Sequence, residues 1–193
     1  MAASSAKSLP TVGFISVCQQ SDRSVVGGYL VLNAAGRPVE FHCTAPVRPS
    51  RAQEILYGPT LKTFLHGEQI AKTLAGKAAC DPLFLCTDSE AVLALRNVDD
   101  TPIVLMADDS DIRTAASAAD SRRIDGPHSG PPRPAALVWF TLGQQKAAVL
   151  STHAGDRETI QQRWRAKVEG LDLREPFARI REALEEAQKT AAR

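Results

Sequence analysis

The hydrophobic pattern of the chain begins with short apolar runs separated by polar turns. Residues 11–18 and 29–32 are two such runs, and apolar and polar residues alternate over 39–44. Short apolar runs between turn residues are typical of buried strands, and alternation is typical of a strand with one buried face. The pattern predicts an antiparallel meander of three strands. We expect the third strand to be half exposed, with His42 facing solvent.

Helical spacing follows this meander. Ser50 and Gln53 form a capping-box pattern, which predicts a helix that carries Glu54 in its first turn. Gly58-Pro59 then interrupts the helix, because proline lacks the amide hydrogen that an interior helical position donates. The apolar residues beyond this break change face near Gly67. We therefore expect the helix to bend or restart there.

Two more strands are predicted in the middle of the chain. Residues 83–86 form a short fourth strand, which should run parallel to an earlier strand because a helix separates them. Thr87 or Asp88 is expected to cap the helix that follows, where apolar residues recur at helical spacing. Residues 103–106 form the fifth strand.

The last part of the chain combines a polar stretch with ordered elements. Residues 108–134 are rich in Asp, Ala, Ser, Gly and Pro, which predicts a disordered insertion or linker. Apolar runs over 136–140 and 147–150 surround a turn at Gly143 and predict a hairpin. Two helices with apolar stripes follow. The stripes are Ile160, Trp164, Val168 and Leu171 in the first helix, and Phe177, Ile180 and Leu184 in the second.

These elements predict one mixed α/β domain. At 193 residues the chain is long enough for one domain with a substantial core. The expected boundaries are a flexible tail over 1–10, a first part over 11–107, the insertion over 108–134, and a hairpin with terminal helices over 135–193. The last part is expected to complete the same domain as the first.

Composition and charge narrow the class of protein. No apolar run approaches the ~18 residues that a membrane-spanning helix needs. The first ten residues fit neither a secretory signal nor a transit peptide, so a cytoplasmic location is expected. The formal net charge is +1, with eight Lys/Arg against four Asp/Glu in residues 1–78. This imbalance permits a nucleic-acid partner but falls short of a dense basic surface.

The cysteines predict neither disulfides nor a zinc site. Cys18, Cys43, Cys80 and Cys86 form no CxxC pair, which favours reduced, buried thiols. His42 and Cys43 are neighbours in a predicted strand, so their side chains should point to opposite faces. The sequence also contains no GxGxxG, GxxxxGK[ST], GxSxG or HExxH motif, so nucleotide binding, acyl transfer and zinc proteolysis lack their usual residues.

Four short motifs follow one another along the chain. They are Gly27-Gly28-Tyr29, Ser50-Arg51-Ala52-Gln53-Glu54, Thr87-Asp88-Ser89-Glu90-Ala91-Val92 and His153-Ala154-Gly155. In the same order, they resemble the Gly-Gly-Tyr, Asn-Arg-Ala-Glu, Thr-Asp-Ser-x-x-Val and His-Ala-Gly of the ribonuclease H-like superfamily. The resemblance covers most of residues 11–170. It implies a ribonuclease H-like fold, in which a three-strand meander precedes helix, strand, helix, strand and a terminal helix.

The resemblance also implies phosphodiester hydrolysis with two Mg²⁺ ions, which about four carboxylates from separate elements would hold. Glu54 and Asp88 match two of these acids and are the catalytic candidates. The acid of strand one is absent from residues 14–18, and residues 161–165 contain arginines where the fourth acid should lie. Glu54, Asp88 and the nearby Asp156 are the candidate metal ligands. An incomplete acidic site is therefore expected.

Three functional hypotheses remain open. The first is a ribonuclease H-like module with an incomplete metal site, which acts in binding or scaffolding, with nucleic acid as a candidate partner and no required cofactor. The second is an active Mg²⁺-dependent ribonuclease, in which Asp22, Asp156 or Glu158 completes the cluster around Glu54 and Asp88. The third is an unrelated α+β interaction module, in which the aspartate after strand four only caps a helix and the terminal helices bind a protein partner.

Overall fold

The computed structural model describes residues 9–107 and 136–191, and the predicted insertion over 108–134 lies outside them. Seven strands form one sheet in this part of the chain. They are β1 (Thr11–Gln19), β2 (Val25–Asn33), β3 (Pro38–Cys43), β4 (Leu85–Thr87), β5 (Ile103–Met106), β6 (Leu137–Leu142) and β7 (Gln145–Leu150). Their order across the sheet is β3-β2-β1-β4-β5-β7-β6.

The sheet contains both parallel and antiparallel strand pairs. β1, β2 and β3 form the predicted antiparallel meander. β4 is parallel to β1, and β5 is parallel to β4. The β6–β7 hairpin adds two antiparallel strands beyond β5. The predicted mixed α/β architecture is confirmed, including the extra hairpin.

Helices cover both faces of the sheet. A helical rod spans residues 51–75 and consists of α1 (Arg51–Tyr57), a 3-10 turn (Gly58–Thr60), α2 (Leu61–Thr63), a π-helix (Phe64–Ala71) and α3 (Lys72–Ala75). A 3-10 helix (Glu90–Asn97) packs beside the rod. A one-turn 3-10 helix (Ser151–His153), α4 (Asp156–Lys167) and α5 (Glu175–Ala191) complete the described elements.

Each face of the sheet has its own hydrophobic cluster. On the face that we call the C-terminal face, Phe14 of β1 packs with Ile180 of α5. On the opposite face, the rod face, Ile15 of β1 packs with Ile70 of the rod. Neighbouring residues of a strand point to opposite faces, so one apolar strand supplies both clusters. β1 and β2 are buried for this reason.

The glycine pair of β2 lets both helical layers approach the sheet. A β-carbon at Gly27 would lie 2.3 Å from Cγ2 of Ile70 in the rod. A β-carbon at Gly28 would lie 2.5 Å from Cγ2 of Ile180 in α5. Both distances are far below van der Waals contact, so a larger side chain at either position would displace a helix. The Gly-Gly motif thus has a packing role on both faces.

The predicted start and interruption of the rod are confirmed. The Ser50 hydroxyl accepts the amide hydrogen of Gln53 at 3.2 Å, and the Gln53 side-chain oxygen accepts that of Ser50 at 2.9 Å. Gly58 ends α1 with φ = 47°, a left-handed value that glycine adopts without strain. The rod does not restart at Gly67 but widens into the π-helix. A β-carbon added at Gly67 would lie 2.7 Å from the carbonyl oxygen of Ala91.

The predicted orientation of β3 is wrong. Val39 and Phe41 are 48% and 39% exposed, whereas Glu40 and His42 are half-buried. Glu40 faces inward because its Oε1 accepts the amide hydrogen of Ala79 at 2.9 Å and lies 2.5 Å from Nε2 of His42. These contacts tie the loop after α3 to the edge strand and reverse the expected polarity.

The predicted helix cap after β4 is also wrong. The Asp88 side chain does not cap the helix that follows. Ser89 occupies the N-cap position without a side-chain hydrogen bond, and the Thr87 hydroxyl accepts the Ser89 amide hydrogen at 3.2 Å. The helix has 3-10 geometry, and its central residues Val92 to Leu95 are all buried. Asp88 is drawn away from the cap by contacts on the C-terminal face.

The terminal helices pack their apolar stripes on the sheet. Ile160, Val168 and Ile180 are buried, and Trp164 is half-buried. An exposed row of apolar residues here would have supported the third hypothesis, and this burial counts against it. No helix among the described residues is long and apolar enough to cross a membrane.

Candidate functional site

The central residue of the candidate site is Asp88, directly after β4. Ile15 of β1 is aligned with Thr87 in the parallel register, so Ser16 and Asp88 come next on adjacent strands. The Ser16 hydroxyl donates a hydrogen bond to Oδ2 of Asp88 at 2.9 Å. The resemblance to the ribonuclease H-like superfamily implies an acid in strand one. In this chain Ser16 of β1 contacts Asp88 instead.

The second partner of Asp88 comes from the far end of the sequence. Nη2 of Arg181 lies 2.5 Å from the same Oδ2 atom. Phe177, Ile180 and Leu184 are buried against the sheet and fix the rotation of α5. Arg181, which follows Ile180, is thereby directed toward the end of β4.

Burial and charge act in opposite directions on Asp88. Burial raises the pKa of the Asp88 carboxyl, while the hydrogen bond from Ser16 and the charge of Arg181 lower it. The Asp88 side chain is 17% exposed and that of Arg181 is 50% exposed, so the ion pair lies at the rim of the core. It borders an open cleft of about 310 Å³ that Met106 and Phe177 also line.

Glu54 has a different environment from Asp88. It lies in the first turn of α1, a helix with no buried residue. Its Oε2 lies 3.0 Å from Nη1 of Arg51, one turn earlier in the same helix. The rod that continues from α1 contributes its buried residues to the rod face, whereas Asp88 contacts α5 on the C-terminal face.

Asp156 is buried at the start of α4 but is already paired. Nε of Arg96 donates to its Oδ2 at 2.7 Å, and Nη2 of Arg96 donates to its Oδ1 at 3.4 Å. Arg96 lies near the end of the 3-10 helix (Glu90–Asn97). The pair therefore joins α4 to that helix, and both carboxylate oxygens of Asp156 are used in doing so.

The other acids considered for recruitment also have local environments of their own. Asp22 accepts hydrogen bonds from the amide and hydroxyl of Ser24 at 2.9 and 2.6 Å, and Arg48 donates to its other oxygen. These bonds hold the pKa of Asp22 well below its usual range. Glu158 is exposed in the first turn of α4.

The residues present do not fit the expected metal site. Among residues 9–107 and 136–191, no three His, Cys, Asp or Glu side chains lie close enough together to hold a metal ion. The expected set of Glu54, Asp88 and Asp156 is therefore not brought together. Each of the three acids instead pairs with an arginine, namely Arg51, Arg181 and Arg96 respectively.

Ser16 and Arg181 are the site residues that the sequence did not reveal. Ser16 could have been found from its place in the strand where the resemblance expects an acid. Arg181 carries no motif, and its only signal is its position next to Ile180 in the apolar stripe of the last helix. Its contact with Asp88 spans 93 positions of the chain.

Comparisons with known proteins give structural likenesses only. No family model matches the chain, and no curated protein matches it. Human ENDOV aligns over 96% of this chain and 87% of its own, with 16% identity and a TM-score of 0.40. A variant of Ciona intestinalis endonuclease V, in complex with a 23mer DNA containing an inosine followed by a ribo-adenosine, aligns over 76% of this chain and 72% of its own, with 12% identity and a TM-score of 0.37. The fold assignment rests on the strand order and directions given above.

Proposed function

We propose that this chain is a ribonuclease H-like module that binds or scaffolds a partner and does not hydrolyse phosphodiesters through metal ions. The contact of Arg181 with Asp88 carries this proposal. A guanidinium supplies positive charge at the carboxylate that the superfamily resemblance assigns to a metal ligand.

The geometry around Asp88 supports a site without a metal. Ser16 and Arg181 donate to the same oxygen, Oδ2, where a metal–oxygen bond would be about 2 Å long. Mg²⁺ needs several oxygen ligands in near-octahedral arrangement. Asp172 and Glu175 line the same cleft, but no three Asp, Glu, His or Cys side chains of the described residues lie close enough together to hold a metal ion. The guanidinium beside Asp88 also repels a second positive charge.

Nucleic acid is the candidate partner because of three exposed lysines on the rod and directly after it, which we call the rod lysines. Lys62, Lys72 and Lys77 are exposed, and no acidic side chain of the described residues forms an ion pair with any of them. Lysines free to contact phosphates give salt-dependent, sequence-independent binding. With so few positive charges, we expect binding that is weak at physiological salt.

A hydrolysis assay tests the absence of metal-dependent chemistry. The wild-type protein and Asp88→Asn are incubated with single-stranded RNA, DNA and an RNA·DNA hybrid in Mg²⁺ or Mn²⁺. We expect no cleavage above the buffer control from either protein. Divalent-dependent cleavage by the wild type that Asp88→Asn abolishes would show an active nuclease and overturn the proposal.

A gain-of-binding variant tests the role given to Ser16 and Arg181. The double change Ser16→Asp with Arg181→Ala places a second acid beside Asp88 and removes the cation. We expect Mn²⁺ binding by isothermal titration calorimetry in this variant and none in the wild type. Lys189→Ala, a change on the same helix outside the lining of this cleft, serves as the control and should leave the wild-type result unchanged.

A binding assay tests the nucleic-acid partner. Fluorescence anisotropy with labelled single-stranded and double-stranded oligonucleotides should show binding that weakens as salt rises. Charge reversal by Lys72→Glu with Lys77→Glu should weaken it further. Lys189→Glu, at an exposed lysine of α5 that pairs with Glu186, is the control. Binding that is indifferent to the rod lysines, or absent at low salt, would rule out this partner.

A further inference from the structure

The two edges of the sheet are protected to different degrees. β3 forms one edge and begins at Pro38, and the register of its pairing with β2 shifts at Val31/Leu32. Proline and irregular pairing are features that keep edge strands from pairing with other chains. β6 forms the other edge and has the sequence LVWFTL, with no proline and no charge. Its pairing with β7 runs without a shift from Leu137 to Leu142.

The hairpin fixes which backbone groups of β6 point away from β7. Leu142 and Gln145 close a two-residue turn, in which Gly143 has φ = 62°. The residue next to such a turn bonds across the hairpin, so every second residue back from Leu142 also points inward. Leu137, Trp139 and Thr141 therefore point their amide and carbonyl groups away from β7. The Thr141 carbonyl accepts a hydrogen bond from Nε2 of Gln161 at 3.1 Å, which agrees with this outward direction.

Apart from this one side chain, no described residue hydrogen-bonds the outer side of β6. Trp139 lies at the middle of the edge and is 37% exposed, with Ala148 of β7 as its inner neighbour. An uncharged strand with an exposed aromatic residue and free backbone groups is a template for another strand.

We propose that β6 pairs antiparallel with β6 of a second copy of this chain and joins the two sheets about a two-fold axis at Trp139. An antiparallel pairing centred on Trp139 sets Trp139 opposite its own copy and Leu137 opposite Thr141. The outward-pointing groups of these residues then bond to one another. The strand is its own complement because it carries no charge to repel an identical strand, and opposed aromatic residues are favourable cross-strand pairs. Gln161 releases the Thr141 carbonyl when the copy binds.

This inference does not depend on the proposed function. The first test is the molar mass of the full chain in size-exclusion chromatography with light scattering, over a range of protein concentrations. We expect a shift from one to two chains as concentration rises. Trp139→Lys should abolish the shift, since it places two like charges opposite each other. Val39→Lys, at an exposed apolar position on the β3 edge, should leave it intact.

A cross-linking test fixes the register and does not depend on the stability of the lysine variant. Residues that exchange hydrogen bonds across antiparallel strands have Cα atoms ≈ 5.5 Å apart, which suits a disulfide. In a Cys43→Ser background, Trp139→Cys should form a disulfide-linked dimer on mild oxidation. Thr141→Cys should not, because its copy lies opposite Leu137. A wild type that stays monomeric, a dimer that survives Trp139→Lys, or equal cross-linking of the two cysteine variants would overturn the proposal.

Discussion

On the C-terminal face of the sheet, Asp88 is buried beside a hydroxyl and a guanidinium. On the rod face His66 is buried, and none of the residues that the structure describes hydrogen-bonds its Nδ1. Burial disfavours the charged form of both groups, but their surroundings differ. Asp88 has a cation next to it, so burial is opposed by Ser16 and Arg181. Burial lowers the pKa of His66 to about 4, and Lys62 adds to this effect, so the imidazole is neutral at physiological pH.

This difference shows where the molecule can keep a buried charge. A charged group stays ionised in the core only where a second element delivers an opposite charge, and on the C-terminal face α5 does so. The rod itself carries its charged groups at the surface, where Glu54 pairs with Arg51. A site that uses charge is therefore expected at Asp88 and not within the rod.

The largest expected effect comes from the glycine pair that seats the two layers. Gly27→Ala and Gly28→Ala would each place a β-carbon within 2.5 Å of a side chain, on the rod face and on the C-terminal face respectively. We expect each change to lower the free energy of unfolding by about 3 kcal/mol, measured by urea denaturation. Gly155→Ala is the control, since a β-carbon there meets nothing within 4 Å.

These two variants also test whether the two helical layers open independently of each other. Hydrogen exchange should show faster opening of the rod in Gly27→Ala and of α5 in Gly28→Ala. If both variants loosened the same layer, the two faces would not behave as separate units.

The next effect concerns pH and His66. The pKa of His66 is about 4 in the folded state and near 6.5 when unfolded, so the unfolded chain binds more protons between these values. Stability should therefore fall as pH drops from about 6.5 toward 4, by about 2 to 3 kcal/mol, and level off below. His66→Gln should remove this dependence. His153→Gln, a change at a half-buried histidine, should retain it.

A smaller effect is expected from the ion pair at Asp88. Arg181→Met leaves the buried carboxylate without its cation, so the pKa of Asp88 should rise and the free energy of unfolding fall by about 1 to 2 kcal/mol. This is less than for a fully buried pair because Arg181 is half exposed. Carbon NMR of the carboxyl group follows the titration directly. Arg179→Met should leave the Asp88 titration in place. An unchanged Asp88 pKa in Arg181→Met would mean that the cation does not stabilise the carboxylate.

The smallest effect is expected at Glu54. Its partner Arg51 is exposed in the same helical turn, and exposed pairs contribute ~0.2–1 kcal/mol. Glu54→Gln should change the free energy of unfolding by less than about 0.5 kcal/mol. A loss comparable to that of Arg181→Met would give Glu54 a buried role and remove the contrast between the two acids.

Several elements could be predicted from sequence because local rules decide them. The Ser50–Gln53 capping box, the interruption at Gly58 and the hairpin turn at Gly143 depend on residues within a few positions of one another. The orientation of β3 could not be predicted in this way, since Glu40 faces inward to bind the loop amide of Ala79, 39 positions later.

The candidate site shows the same division. The motif around Asp88 located one acid directly after β4, where the structure has it. The sequence could not show that Arg96 pairs with Asp156 or that Arg181 pairs with Asp88, because these contacts join residues 60 and 93 positions apart.

The sequence by itself determined the strands, the start of the rod and the order of elements, because hydrophobic period, caps and turns act over a few residues. Only the tertiary structure decided the partners of the acids. A carboxylate becomes a metal ligand, a helix cap or half of an ion pair according to which side chains the packed helices bring to it. In this chain the packing of α5 over Gly28 brings a guanidinium to Asp88.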